Sequence, residues 1–143
     1  MKKSKILFLC TGNSARSQMA EAFLRHLGGG RFEAYSAGLE PQGIHPYTRR
    51  VMEEAGIDLE GQHSKHVNEY MGKLHFSYVI TVCASADKKC PAVFPGAGAR
   101  LHWPFEDPAG AAGTEEEKLA RFRRVRDQIS RHIKGWLQEQ AKP

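Results

Sequence analysis

The chain has 143 residues and a mass of 16.0 kDa, room for one compact domain, which excludes a two-domain enzyme. Hydrophobic residues at 41% and charged residues at 26%, with 14 Gly and 7 Pro, fit a globular domain and exclude a disordered, collagen-like or membrane-spanning chain. The net charge of +5 favours an anionic ligand only where basic residues converge on one site.

Met1 to Lys5 followed by Ile6-Leu7-Phe8-Leu9 imitates a signal peptide, but the apolar run stops after about five residues where a secretory core needs roughly 7–15. The run predicts a strand buried on both faces. Behind it, Met19, Phe23 and Leu27, spaced four apart, mark a helix that Gly28-Gly29-Gly30 stops. Phe32 to Ala37 predicts a second strand, and Pro46 to Ala55 a helix with proline at its first position and Gly56 as its stop. The segment from Lys65 to Phe76 has no clear period. Tyr78 to Cys83 is rich in β-branched residues and predicts a strand, and Ala99 to Trp103 a shorter one. Thr114 with Glu117 three residues on is a capping box. Behind it Leu119, Phe122, Val125, Ile129, Ile133 and Trp136 predict a long amphipathic C-terminal helix.

Strands alternating with helices predict an α/β fold: an open parallel four-stranded sheet, flanked by helices on both faces, in a single domain over residues 1–143. Such sheets bind ligands beyond the carboxyl ends of their strands. No stretch approaches the roughly 20 apolar residues of a bilayer span, so no membrane partner is expected. Three cysteines, Cys10, Cys83 and Cys90, cannot all pair within one chain and are too few to staple a secreted domain. A cytoplasmic, reducing setting is expected, and a monomer. Arg121, Arg123, Arg124 and Arg126 read as a solvated basic face, because Glu115 to Glu117 precede them and no aromatic residues interleave. No nucleic-acid partner is expected.

Cys10 ends the first predicted strand, and Thr11-Gly12-Asn13-Ser14-Ala15-Arg16-Ser17 leads from it into a helix. A short loop entering a helix points successive N–H groups inward, a cradle for a tetrahedral oxyanion. The same field favours a thiolate and predicts a lowered pKa for Cys10, with Arg16 placed to clamp two anion oxygens. A buried cysteine at a strand end is ordinarily inert. The Gly, Ser and Arg behind this one argue for a nucleophile. No Gly-Lys-Ser/Thr follows at the offset of a nucleotide-binding loop. A zinc site from Cys83, Cys90, His63 and His66 is disfavoured, since six residues between the cysteines miss the usual ligand spacing.

The stretch Cys10 to Glu21 resembles the low-molecular-weight protein tyrosine phosphatase superfamily, and within it the thioredoxin-coupled arsenate reductases. The resemblance extends through Tyr35-Ser36-Ala37-Gly38, the pair Cys83 and Cys90, His102-Trp103, Asp107-Pro108-Ala109 and Gly113 to Glu117. It implies an enzyme that reduces arsenate to arsenite and aids arsenical resistance. Cys10 would be the nucleophile, Asp107 the general acid, and Thr11 to Ser17 with Arg16 the substrate cradle. Cys83 and then Cys90 would resolve the adduct, with electrons from thioredoxin and no bound cofactor. Ser17 would support the Cys10 sulfur and Asn13 the loop. The alternative within the superfamily is a phosphatase that cleaves phosphomonoesters through a phosphocysteine at Cys10. Ala15, where phosphatases commonly carry a second cysteine, and Ala109-Gly110, where they typically carry tyrosines, depart from that alternative. Residual phosphatase activity remains an expectation. Some relatives bind potassium through residues matching Asn13, Glu21 and Ser36 plus an acid near position 65. Here Lys65 stands there, and its ammonium is a candidate substitute for the ion.

Overall fold

In the computed structural model, which describes residues 3–89, 96–110 and 112–141, the first apolar run forms β1 (Ser4–Cys10). Ile6, Leu7, Phe8 and Leu9 are all buried, as a continuous apolar run requires of a strand covered on both faces. β1 pairs in parallel with β2 (Phe32–Gly38) on one side and β3 (Phe76–Thr81) on the other. β4 (Ala97–His102) lies beyond β3, giving the order β2-β1-β3-β4. The chain leaves β1 in one direction and returns on its other side, so the connections diverge between β1 and β3. The crevice they leave at the carboxyl ends is where such sheets bind ligands.

Among the described residues, the α-helices that flank the two faces are α1 (Arg16–Gly28), α2 (Pro46–Glu54), α3 (Ala84–Lys89) and α4 (Glu115–Ala141). Phe32 and Tyr78 share the parity of Ile6 in the strand register, and both rings meet Trp136 of α4, at 5.1 and 5.5 Å between centroids. Tyr35 pairs with Leu7, of the opposite parity, and its ring meets Tyr70 at 5.3 Å on the other face. The predicted stripe of α4 is buried from Leu119 to Trp136. Its capping box forms, with Glu117 N–H donating to Thr114 Oγ1 at 3.2 Å and Thr114 N–H to Glu117 Oε1 at 3.4 Å.

Several boundaries differ from the sequence reading. Leu27 is 38% exposed, whereas Leu24 is fully buried. A stripe that advances strictly by four residues drifts about 40° per step around a helix of 3.6 residues per turn, so Leu27 has rotated into solvent. The third strand ends at Thr81, because Cys83 already belongs to the turn into α3. Its fourth neighbour begins two residues earlier than expected. Within the ambiguous segment, Val67–Glu69 forms a short 3-10 helix capped by His66, which also bridges to Gly38. No helix among the described residues is long and apolar enough to cross a membrane.

Candidate active site

The loop from Cys10 to Ala15 turns its carbonyls outward. Cys10 O accepts from Leu39 N, Thr11 O from Glu40 N, Gly12 O from Gln42 N, and Ser14 O from His45 N, at 3.2, 2.8, 3.0 and 3.1 Å. The Gln18 side-chain amide satisfies Asn13 O at 3.1 Å. Across a planar trans peptide, the C=O of one residue and the N–H of the next point in opposite directions. Five outward carbonyls therefore aim the N–H groups of residues 11–15 into one concavity, an anion-binding nest at the start of α1. Two backbone features make this path possible. Asn13 adopts φ +49°, an uncommon conformation that asparagine tolerates. Gly38 leaves no side chain where a Cβ would lie 2.7 Å from Thr11 O and 2.9 Å from Asn13 Cβ.

Cys10 ends β1 and Cys83 lies just past the end of the adjacent β3, both buried and both free thiols. Their sulfurs are in hydrogen-bond contact, and the proton they share separates their acidities. Cys83 is lowered to about 5, first by the Cys10 thiol, then by the Thr11 hydroxyl at 3.5 Å and the Ala86 N–H at 3.4 Å. Cys10 is raised, first by that same hydrogen bond and then by burial, against the pull of Arg16 and of the Thr11 N–H. The expected lowering of Cys10 is thereby corrected. Two adjacent sulfurs cannot both ionise easily, and the one with more donors takes the charge.

Arg16, the first residue of α1, donates from Nη1 to Phe105 O at 3.1 Å, and its Nη2 lies 3.9 Å from Asp107 Oδ2. The arginine thus ties the Asp107 segment to the cradle. Asp107 caps its own turn by accepting from Ala109 N at 2.9 Å, and the residue lines the cleft. The cleft is about 460 Å³, lined by Cys10, Thr11, Gly12, Ser14, Ala15, Arg16, Cys83 and Asp107, with Gln42, Ala84 and Ala109 at its rim. Asn13 and Ser17 are buried behind it, and the Ser17 hydroxyl accepts from Asn13 Nδ2 at 2.8 Å. Ser17 therefore braces the loop through Asn13. Gln42 escaped the sequence reading, because a Pro-Gln-Gly turn carries no chemical signature. The Gln42 N–H to Gly12 O bond brings it to the cleft. Cys90 lies outside the described residues.

Residues 5–143 match the model of the low molecular weight phosphotyrosine protein phosphatase family. The chain belongs to this family. The arsenate reductase of Bacillus licheniformis is 49% identical over 139 residues, covering 96% of this chain and 98% of that protein. A solved structure described as an arsenate reductase in the phosphate binding state shares 33% identity and a TM-score of 0.76, over 95% of this chain and 98% of the other. A thioredoxin-dependent arsenate reductase of Corynebacterium glutamicum shares 26% identity and a TM-score of 0.62, over 92% of this chain and 62% of its own.

The low-molecular-weight phosphatase fold also allows the potassium expectation to be tested against the donors present. Among the three candidates, Asn13 turns its amide nitrogen toward Ser36 Oγ at 3.0 Å, and its oxygen accepts from Lys65 N–H at 3.0 Å. Only Glu21 and Ser36 then offer oxygen, and two cations, Arg25 and Lys65, already flank Glu21. This donor set does not fit a potassium ion, which takes several oxygens.

Proposed function

We propose that the protein reduces arsenate to arsenite through a relay of thiols. The observation that carries the reading is the contact of two buried free thiols, Cys10 and Cys83, at the floor of an oxyanion cradle. Phosphoester cleavage needs one sulfur, whereas two-electron reduction needs a second within reach of the first. The names of the relatives support arsenate as the oxyanion. Among the described residues, none that lines the cleft carries a ring against which a phosphotyrosine would stack.

In this mechanism arsenate docks on the N–H groups of residues 11–15 and on Arg16. Cys10 attacks arsenic, its proton passing along the hydrogen bond to Cys83. An As–O bond breaks, and Asp107 protonates the departing oxygen so that it leaves as water. Cys83 then releases its proton to solvent, a step favoured by Thr11, Ala86 and Arg16. Its thiolate attacks Cys10 Sγ. The S–S bond forms as the S–As bond breaks, and that electron pair stays on arsenic, which departs as arsenite. Cys90 thiolate next attacks Cys83 Sγ and frees Cys10. A thioredoxin dithiol reduces the Cys83–Cys90 disulfide, a role supported by the thioredoxin-dependent structural neighbour.

Were the chain from 83 to 90 one straight helix, the last exchange would require it to unwind. A straight helix places positions 83 and 90 about 10.5 Å apart along its axis, whereas a disulfide needs a Cα separation of about 4.4–6.8 Å. α3 is only six residues long, so unwinding it forfeits few hydrogen bonds. The test is NADPH oxidation with arsenate, thioredoxin and thioredoxin reductase, run beside Cys83→Ala and Cys90→Ala. Turnover that needs both cysteines is expected. Absence of turnover, with equal p-nitrophenyl phosphate hydrolysis by all three proteins, would replace the reductase with a phosphatase.

A further inference from the structure

Behind the cradle lies a cluster of polar groups that the relay does not touch. Its centre is the Glu21 carboxylate. Ser36 donates to Glu21 Oε1 at 2.6 Å, and the Arg25 guanidinium donates to Oε2. Lys65 Nζ lies 3.9 Å from Oε1 and donates to His63 O at 2.7 Å. The Lys65 and Glu21 side chains are 4% and 6% exposed, so neither charge has water to fall back on. Ser36 in turn accepts from Asn13, whose strained backbone shapes the cradle. A chain of contacts therefore runs from the ammonium, through the carboxylate and hydroxyl, to the loop.

We propose that the Lys65 ammonium is a tethered cation: it neutralises Glu21, keeps Ser36 and Asn13 in place, and so braces the oxyanion cradle without a bound monovalent ion. The inference rests on the cradle reading above and adds a positioning residue to it. Without the ammonium, Glu21 is a buried carboxylate facing only Arg25, whose side chain is 52% exposed. Glu21 would then draw in a small cation or move toward Arg25, and Ser36 would lose its fixed acceptor. The Lys65 backbone also serves the loop, its N–H on Asn13 Oδ1 at 3.0 Å and its carbonyl on Gly38 N at 2.8 Å. Those contacts survive substitution, so a side-chain variant isolates the charge.

The experiment measures the Kd of inorganic phosphate for the reduced protein by titration calorimetry, in potassium chloride and in tetramethylammonium chloride at equal ionic strength. The wild type is expected to bind equally in both salts, within about two-fold. Lys65→Met, which keeps the stem's bulk, is expected to bind about ten-fold more weakly in tetramethylammonium. In potassium it should regain part of that loss, a rescue that a packing defect would not show. Wild-type affinity that rises several-fold with potassium overturns the proposal, as does unchanged affinity or absent rescue in Lys65→Met. The wild-type comparison decides the matter even where the variant does not fold. Failure of the wild type to bind phosphate in either salt would instead refute the cradle itself.

Discussion

Thr11→Val tests whether the charge of the thiol pair rests on Cys83. The Thr11 hydroxyl lies 3.5 Å from Cys83 Sγ, and a hydrogen bond to a charged group contributes about 1.5–3 kcal/mol. The long distance and soft sulfur acceptor favour the low end. At about 1.4 kcal/mol per pKa unit, losing the hydroxyl raises Cys83 by about one unit. The assay is thiolate absorbance against pH in a Cys90→Ala background, which leaves two sulfurs to titrate. One thiolate is expected to appear with a midpoint of about 5, so Cys83 is ionised at neutral pH and takes a proton as the pH falls through that midpoint. The Cys10 thiol is expected to resist ionisation beyond the ordinary thiol range, because a second charge beside the first is costly. Thr11→Val should move the first midpoint upward and Thr11→Ser should restore it. Two thiols titrating together near about 8.5 would refute the reasoning, as would a midpoint indifferent to the hydroxyl.

The scaffold and the acid yield three more expectations. Gly38→Ala puts a Cβ 2.7 Å from Thr11 O, so it should cost about 1–3 kcal/mol in denaturant unfolding and weaken oxyanion binding. Unchanged phosphate affinity would show that the loop tolerates displacement. Asp107→Asn should slow single-turnover arsenate reduction by about 10²–10⁴-fold, and a rate within a few-fold of wild type would remove Asp107 from the acid role. Phe122, buried on α4 and packed on the rings of His45 and Tyr47 at 4.8 and 5.5 Å, should cost about 3–5 kcal/mol as Phe122→Ala, read from chemical denaturation.

The wide margin of apolar patterning made the sheet and helices readable. Ile6 to Leu9 could only be a strand buried on both faces, and the spacing from Leu119 to Trp136 admits one helix face. The cradle was readable for a different reason: Gly12, Asn13, Arg16 and the cysteine before them lie within a few positions of one another, so local chain geometry nearly builds the site. Leu27 marks the helix but leaves its buried face, because a four-residue step approximates the helical period over one turn and fails over two.

What lay beyond the sequence depended on contacts between distant positions. Whether Cys10 and Cys83, far apart in the chain, share a proton depends on β1 and β3 being neighbours. Which sulfur holds the charge depends on three donors, two of them from α3 and the loop. The arrival of Gln42 at the rim, the tie from Arg16 to Phe105 O, and the Lys65 ammonium beside Glu21 are also long-range. Hydrophobic periodicity and loop chemistry are local properties that a chain carries in its order of residues. Proton sharing and buried charge pairing are pairwise energies that fall off within a few ångströms, so they exist only once the fold has set the distances.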